Sequence, residues 1–179
     1  MTCGFRQLRK KLCLALASAC LLCCVTVAQT VRTSYAPGVN FSKYRTYRWV
    51  VIKGVHADPS VDAQIKQSID SQLAARGLTK AGDTADLNVD YQTAVSKVET
   101  WEPYEDWSDS SLMGQRLPQY KMVTIEVGTL VIDMYDTAAK QLVWTGRAHK
   151  TLDLNSSRED RQRNLDKAAK KLLAGFPRK

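Results

Sequence analysis

Asp86-Leu87-Asn88-Val89-Asp90-Tyr91-Gln92 alternates polar and apolar side chains without a break, and the pattern continues through Thr93 to Val95. A period of two means a strand with one packed face and one wet face. Downstream, Val123, Ile125 and Val127 share one parity while Leu130, Ile132 and Met134 share the other, with Gly128 at the changeover. That phase shift predicts a β-bulge near Gly128 and Thr129, which would keep both halves facing the core. Asp136-Thr137-Ala138-Ala139-Lys140 then reads as a hairpin loop, and Leu142, Trp144, Gly146 and Ala148 alternate inward on a return strand. The small Gly146 and Ala148 leave room for a helix to approach closely.

Upstream, a short extended piece over 31–35 leads through Pro37-Gly38 to Arg45-Thr46-Tyr47-Arg48-Trp49-Val50-Val51-Ile52, rich in β-formers. Asp58-Pro59 supplies an N-cap followed by proline at the first helical position. Val61, Ile65, Ile69 and Leu73 recur every fourth residue and stack as one narrow stripe, closed by Arg76-Gly77-Leu78. The narrow stripe predicts a helix lying across one sheet face, with Lys66, Asp70 and Arg76 mostly in water. At the other end Ser156-Ser157-Arg158-Glu159 matches a capping box, Leu165, Ala168, Ala169, Leu172 and Phe176 make an apolar face, and Gly175-Phe176-Pro177 ends the helix. The order β-β-α-β-β-β-α, without regular βα alternation, predicts a single α+β domain. Its sheet is mainly antiparallel, of about five strands, with two helices packed on it. Trp49 and Trp144, set among alternating apolar residues, belong to the core.

The first 28 residues read differently. Arg6, Arg9, Lys10 and Lys11 precede an uncharged apolar stretch from Leu12 to Ala28, the pattern of a secretory signal peptide over 1–28, with the domain occupying 29–179. Thr26 and Ala28 are small residues suited to cleavage after Ala28. A competing site lies at Cys20, where Ala17-Ser18-Ala19-Cys20 resembles a lipoprotein box; lipid there would tether the domain to a membrane. All five cysteines precede the cut, so the exported domain has no thiol for disulfide, nucleophile or metal ligation. Removing the four basic residues leaves 22 basic against 18 acidic side chains, a mild excess without the basic, aromatic-interleaved stripe of a nucleic-acid binder.

Four stretches in order carry a family likeness: Phe41-Ser42-Lys43-Tyr44-Arg45-Thr46-Tyr47-Arg48-Trp49, Ala85-Asp86-Leu87-Asn88-Val89-Asp90-Tyr91, Gly128-Thr129-Leu130-Val131-Ile132-Asp133 and Leu142-Val143-Trp144-Thr145-Gly146. Through them the chain resembles the bacterial domain-of-unknown-function family numbered 4136. The resemblance implies an exported protein or lipoprotein, periplasmic or associated with the outer membrane, and brings no catalytic residues. At the signal this chain departs from the cleaner lipidation box of many members.

Catalytic signatures are missing. His56 and His149 lack a second histidine at ligand spacing, and there is no G-x-S-x-G elbow, Ser-x-x-Lys or glycine-rich phosphate loop, so neither a metal nor a cofactor is expected. The one unusual segment lies in a connection of roughly 20 residues, long for a compact domain. There Trp101, Tyr104 and Trp107 form a candidate aromatic platform, and Glu102, Glu105 and Asp106 candidate hydrogen-bond acceptors. The plain alternative is that these aromatics fold over the sheet edge and the acids solvate a loop. Two functional readings follow. The first is a non-enzymatic envelope module binding a protein, glycan or lipid component through the 100–121 loop or a sheet edge, touching membrane only if lipidated. The second is a hydrolase of envelope polysaccharide or peptidoglycan using the loop carboxylates.

Overall fold

The computed structural model describes residues 29–52, 57–104 and 119–177. Six strands form one sheet: β1 (Thr30–Tyr35), β2 (Thr46–Trp49), β3 (Thr79–Lys80), β4 (Leu87–Tyr104), β5 (Gln119–Asp136) and β6 (Gln141–Thr151). Helices α1 (Pro59–Ala74) and α2 (Arg158–Ala174) pack side by side on one face. The spatial order is β1-β6-β5-β4-β2-β3. From β1 to β4 all pairings are antiparallel, as expected; β2 pairs parallel with both β4 and β3, which makes the sheet mixed. The sixth strand, β3, is two residues long, too short to leave a periodic signal.

Parity decides which side chains meet the helices. Leu87, Val89, Tyr91, Leu130, Ile132, Met134, Trp144 and Ala148 point inward and are buried against Ile65, Ile69, Leu73, Ala169 and Leu172. Trp144 is fully buried, with its Nε1 donating to the Gly175 carbonyl at 3.3 Å, and Phe176 meets its ring edge-on. A Cβ on Gly146 would stand 2.5 Å from the Trp144 ring and 3.1 Å from Leu172, so this glycine is what lets helix and indole close on the strand. Trp49 is only half-buried at the rim of the core.

Several expectations need correction. No bulge occurs at Gly128, because β4 and β5 pair in unbroken register through Val95↔Gly128 and Ala94↔Thr129. The glycine instead makes room for Leu152, whose side chain would lie 2.7 Å from an added Cβ. The irregularity falls between β5 and β6 at Met134/Tyr135, which turns Val143 inward and leaves Leu142 exposed. Asp58 forms no side-chain cap; its carbonyl accepts from Val61 and Asp62 instead. The cap of α2 is Ser157, not Ser156, and its hydroxyl accepts the Asp160 N–H at 3.0 Å.

Candidate functional site

The segment read as a loop, 100–121, is strand at both of its described ends, 100–104 in β4 and 119–121 in β5, and residues 105–118 lie outside the described residues. Trp101, Glu102 and Tyr104 belong to β4 and stand opposite Met122, Lys121 and Gln119 of β5. Alternating β-formers on both sides, Val95 to Trp101 and Tyr120 to Val127, carry the pairing well past the helices. Beyond the body the two strands form a projecting arm about 30 Å long at the usual rise per residue. His56, Cys20, Glu105, Asp106 and Trp107 lie outside the described residues.

Of the three aromatics expected to form a platform, the two that are described, Trp101 and Tyr104, lie on opposite faces. Trp101 shares the helix-side face with Met122, Pro103 and Tyr120, whereas Tyr104, of opposite parity, points to the other face, its hydroxyl donating to Gln119 at 2.7 Å. Glu102 also lies on that other face. The apolar members of the helix-side row are conspicuously wet: Trp101 is 63 % exposed, Val95 62 %, Met122 56 % and Tyr120 55 %. At the root of the arm the row runs into an apolar groove of about 500 Å³ between the sheet end and the helices, walled by Val61, Ile65, Leu130, Leu152 and Leu165.

The charged side chains that look reactive are tied into the frame. Asp136 is buried and accepts Lys43 Nζ at 2.7 Å, the Tyr44 hydroxyl at 2.9 Å and the backbone N–H groups of Ala138 and Ala139 at 2.9 Å each. The hydrogen bond from Lys43 and the Ala139 N–H bring its carboxyl down to about 2. Asp86 accepts the N–H groups of Arg45 and Thr46 and the Thr46 hydroxyl, and the backbone bond from Arg45 leads in holding it below the usual range. Asp70, expected in water, takes the Tyr47 hydroxyl and Trp49 Nε1 at 2.8 Å each and Lys80 at 3.1 Å, pinning α1 to β2. Burial, then the bond to Asp70, raises the Tyr47 phenol. Lys43 is likewise raised, chiefly by its bond to Asp136, so it is no neutral nucleophile.

Of these anchors only Asp136 has a local signature: it opens a turn, the position where a carboxylate bonds backbone N–H groups ahead of it. Asp86 and Asp70 have none, because their partners come from different elements. Among the described residues no group of three or more His, Cys, Asp or Glu is arranged to hold a metal, and no helix is long and apolar enough to cross a membrane.

A single mixed sheet with two helices on one face and a projecting pair of strands defines an α+β protein. The chain belongs to the family described as a domain of unknown function, DUF4136, whose model matches residues 31–178. Of solved structures, PelC from Paraburkholderia phytofirmans, a dodecamer, is similar at a TM-score of 0.52 with 13 % identity, over 85 % of this chain and 100 % of that one. A PDZ domain protein from Parabacteroides distasonis is similar at 0.53 with 16 % identity, over 83 % of this chain and 36 % of that one. At such identities the likeness is one of fold. No curated protein matches the chain.

Proposed function

We propose that this chain is an exported, non-enzymatic module of the cell envelope that works by contact, presenting its β-arm to another envelope component. The observation that carries the reading is the helix-side row of the arm, where Val95, Trp101, Tyr120 and Met122 are each more than half exposed. A two-stranded ribbon is marginal in water by itself, and apolar side chains in such a row are the usual material of an interface. Asp70, Asp86 and Asp136 each accept structural donors and serve the frame. Export rests on the charged and apolar pattern of residues 1–28.

The test mixes the purified domain with envelope fractions of the producing cell, separated into membrane, peptidoglycan and soluble protein, and reads co-sedimentation. One fraction is expected to retain the domain, and the Trp101→Ser/Met122→Ser variant to bind at least about tenfold more weakly with an unchanged circular dichroism spectrum, as expected when central apolar anchors are lost. Equal retention of variant and wild type would overturn the reading.

A further inference from the structure

Strand β4 outlasts its neighbour on one side. The Val50 N–H donates to the Val89 carbonyl at 2.9 Å, and the bond shows that Val89 turns its backbone groups toward the β2 side. With a period of two, Val95, Lys97, Glu99 and Trp101 turn their N–H and C=O groups the same way, and the even-numbered residues face β5. No described hydrogen bond reaches those outward groups, and residues 94–99 are exposed. The free edge ends at Pro103, also an outward position, which has no N–H to offer.

The sequence along this edge, Val95-Ser96-Lys97-Val98-Glu99-Thr100-Trp101, is complementary to itself when reversed about Val98. In that register Lys97 of one copy faces Glu99 of the other, twice by symmetry. Val95 faces Trp101, Ser96 faces Thr100, and Val98 faces Val98. The outward residues pair with outward residues, so each of these pairs exchanges both backbone bonds as an antiparallel ladder requires. Centring on residue 97 or 99 sets Lys97 against Lys97 or Glu99 against Glu99, and centring on residue 100 sets Lys97 against Pro103. Centring on residue 96 sets Lys97 against Val95 and Glu99 against Thr93, so the two Lys97–Glu99 pairs are lost.

We infer that two copies of this chain pair antiparallel along the free edge of β4, about a two-fold axis at Val98, joining two arms into one four-stranded ribbon. Such an interface is isologous, and it closes an edge that would otherwise invite uncontrolled pairing. The inference names a partner for the arm and so rests on its reading as a contact element. Its test needs no envelope component, so either can fail alone.

The experiment is sedimentation velocity on the chain as recovered from the producing cell, across a concentration series, for wild type, Lys97→Glu, Glu99→Lys and the double exchange. Wild type is expected to show a concentration-dependent dimer. Each single exchange, which creates two like-charge contacts per dimer, is expected to weaken association at least about tenfold. The double exchange restores opposite charges and is expected to return within about threefold of wild type. In a second measurement Val98→Cys, at a non-hydrogen-bonded pair whose separation suits a disulfide, is expected to cross-link under oxidation. Ser96→Cys, opposite Thr100, is expected not to. Wild type that stays monomeric to about 100 μM, a double exchange as weak as the singles, or cross-linking by both or neither cysteine would overturn the inference.

Discussion

Replacing Asp136 by asparagine keeps the shape of the side chain and removes its charge. The oxygen that receives the Ala138 and Ala139 N–H groups survives, while the one that takes Lys43 Nζ at 2.7 Å and the Tyr44 hydroxyl at 2.9 Å is replaced by an amide donor facing two donors. Lys43 is more than half exposed and turns to water at little cost, whereas the buried Tyr44 hydroxyl loses its acceptor. Linkage gives a separate measure of the charge. The carboxyl titrates at about 2 when folded against an ordinary 3.8, so its ionised form contributes about 2 kcal/mol above roughly pH 4. Because the folded value is the lower one, that stability is lost as pH falls, to about half by pH 3 and nearly all by pH 2. Urea unfolding followed by tryptophan fluorescence at pH 7, 4 and 3 therefore has a definite expectation. Asp136→Asn is less stable than wild type by about 2 kcal/mol at pH 7, and the gap narrows by roughly half at pH 3. A gap that stays constant across this range, or one below about 0.5 kcal/mol at pH 7, would refute the assignment of Asp136 as an ionised anchor.

Three further outcomes follow from the same reasoning. Gly146→Ala drives a methyl into the Trp144 ring at 2.5 Å and is expected to destabilise by about 1–3 kcal/mol, seen as a lowered Tm. Asp70→Ala strips the acceptor from the Tyr47 hydroxyl and Trp49 Nε1 and is expected to cost about 2–3 kcal/mol in urea unfolding, with the Trp49 emission changed. The intact mass of the chain recovered from fractionated cells is expected to begin at Gln29, in a soluble fraction; a diacylated Cys20 in the membrane fraction would contradict that processing and mean a tethered domain.

What the sequence discloses and what it conceals divide along contact distance. The α1 stripe of Val61, Ile65, Ile69 and Leu73 and the alternation from Leu87 to Tyr91 are local periodicities, and both led to the correct buried face. The parity change at Gly128 is also real, but its cause is not local. Past Gly128 the helices end, so Val123, Ile125 and Val127 keep their register on the opposite face, and Leu152 crosses the glycine from a distant turn. A bulge near Met134/Tyr135 leaves no mark of its own, and the parallel pairing of β2 depends on where α1 returns the chain. In the candidate segment only the local form is decided by the structure. Glu102, Pro103 and Tyr104 look like loop composition, and only the facing strand from Gln119 to Met122 makes them strand. The family stretch from Phe41 to Trp49, which invites a functional reading, is largely occupied by frame contacts: Lys43 and Tyr44 with Asp136, Thr46 with Asp86, Tyr47 and Trp49 with Asp70.

The arm, and not the body, is the working surface in the function proposed above. Replacing residues 97–126 by an Asn-Gly turn joins Ser96 to Val127, which already stand opposite each other, by a two-residue hairpin loop and leaves the core strands in register. Co-sedimentation of this shortened protein with the envelope fraction that retains wild type is the direct test. The account predicts a folded protein with a Tm within a few degrees of wild type and no retention; full retention by the shortened protein would contradict it.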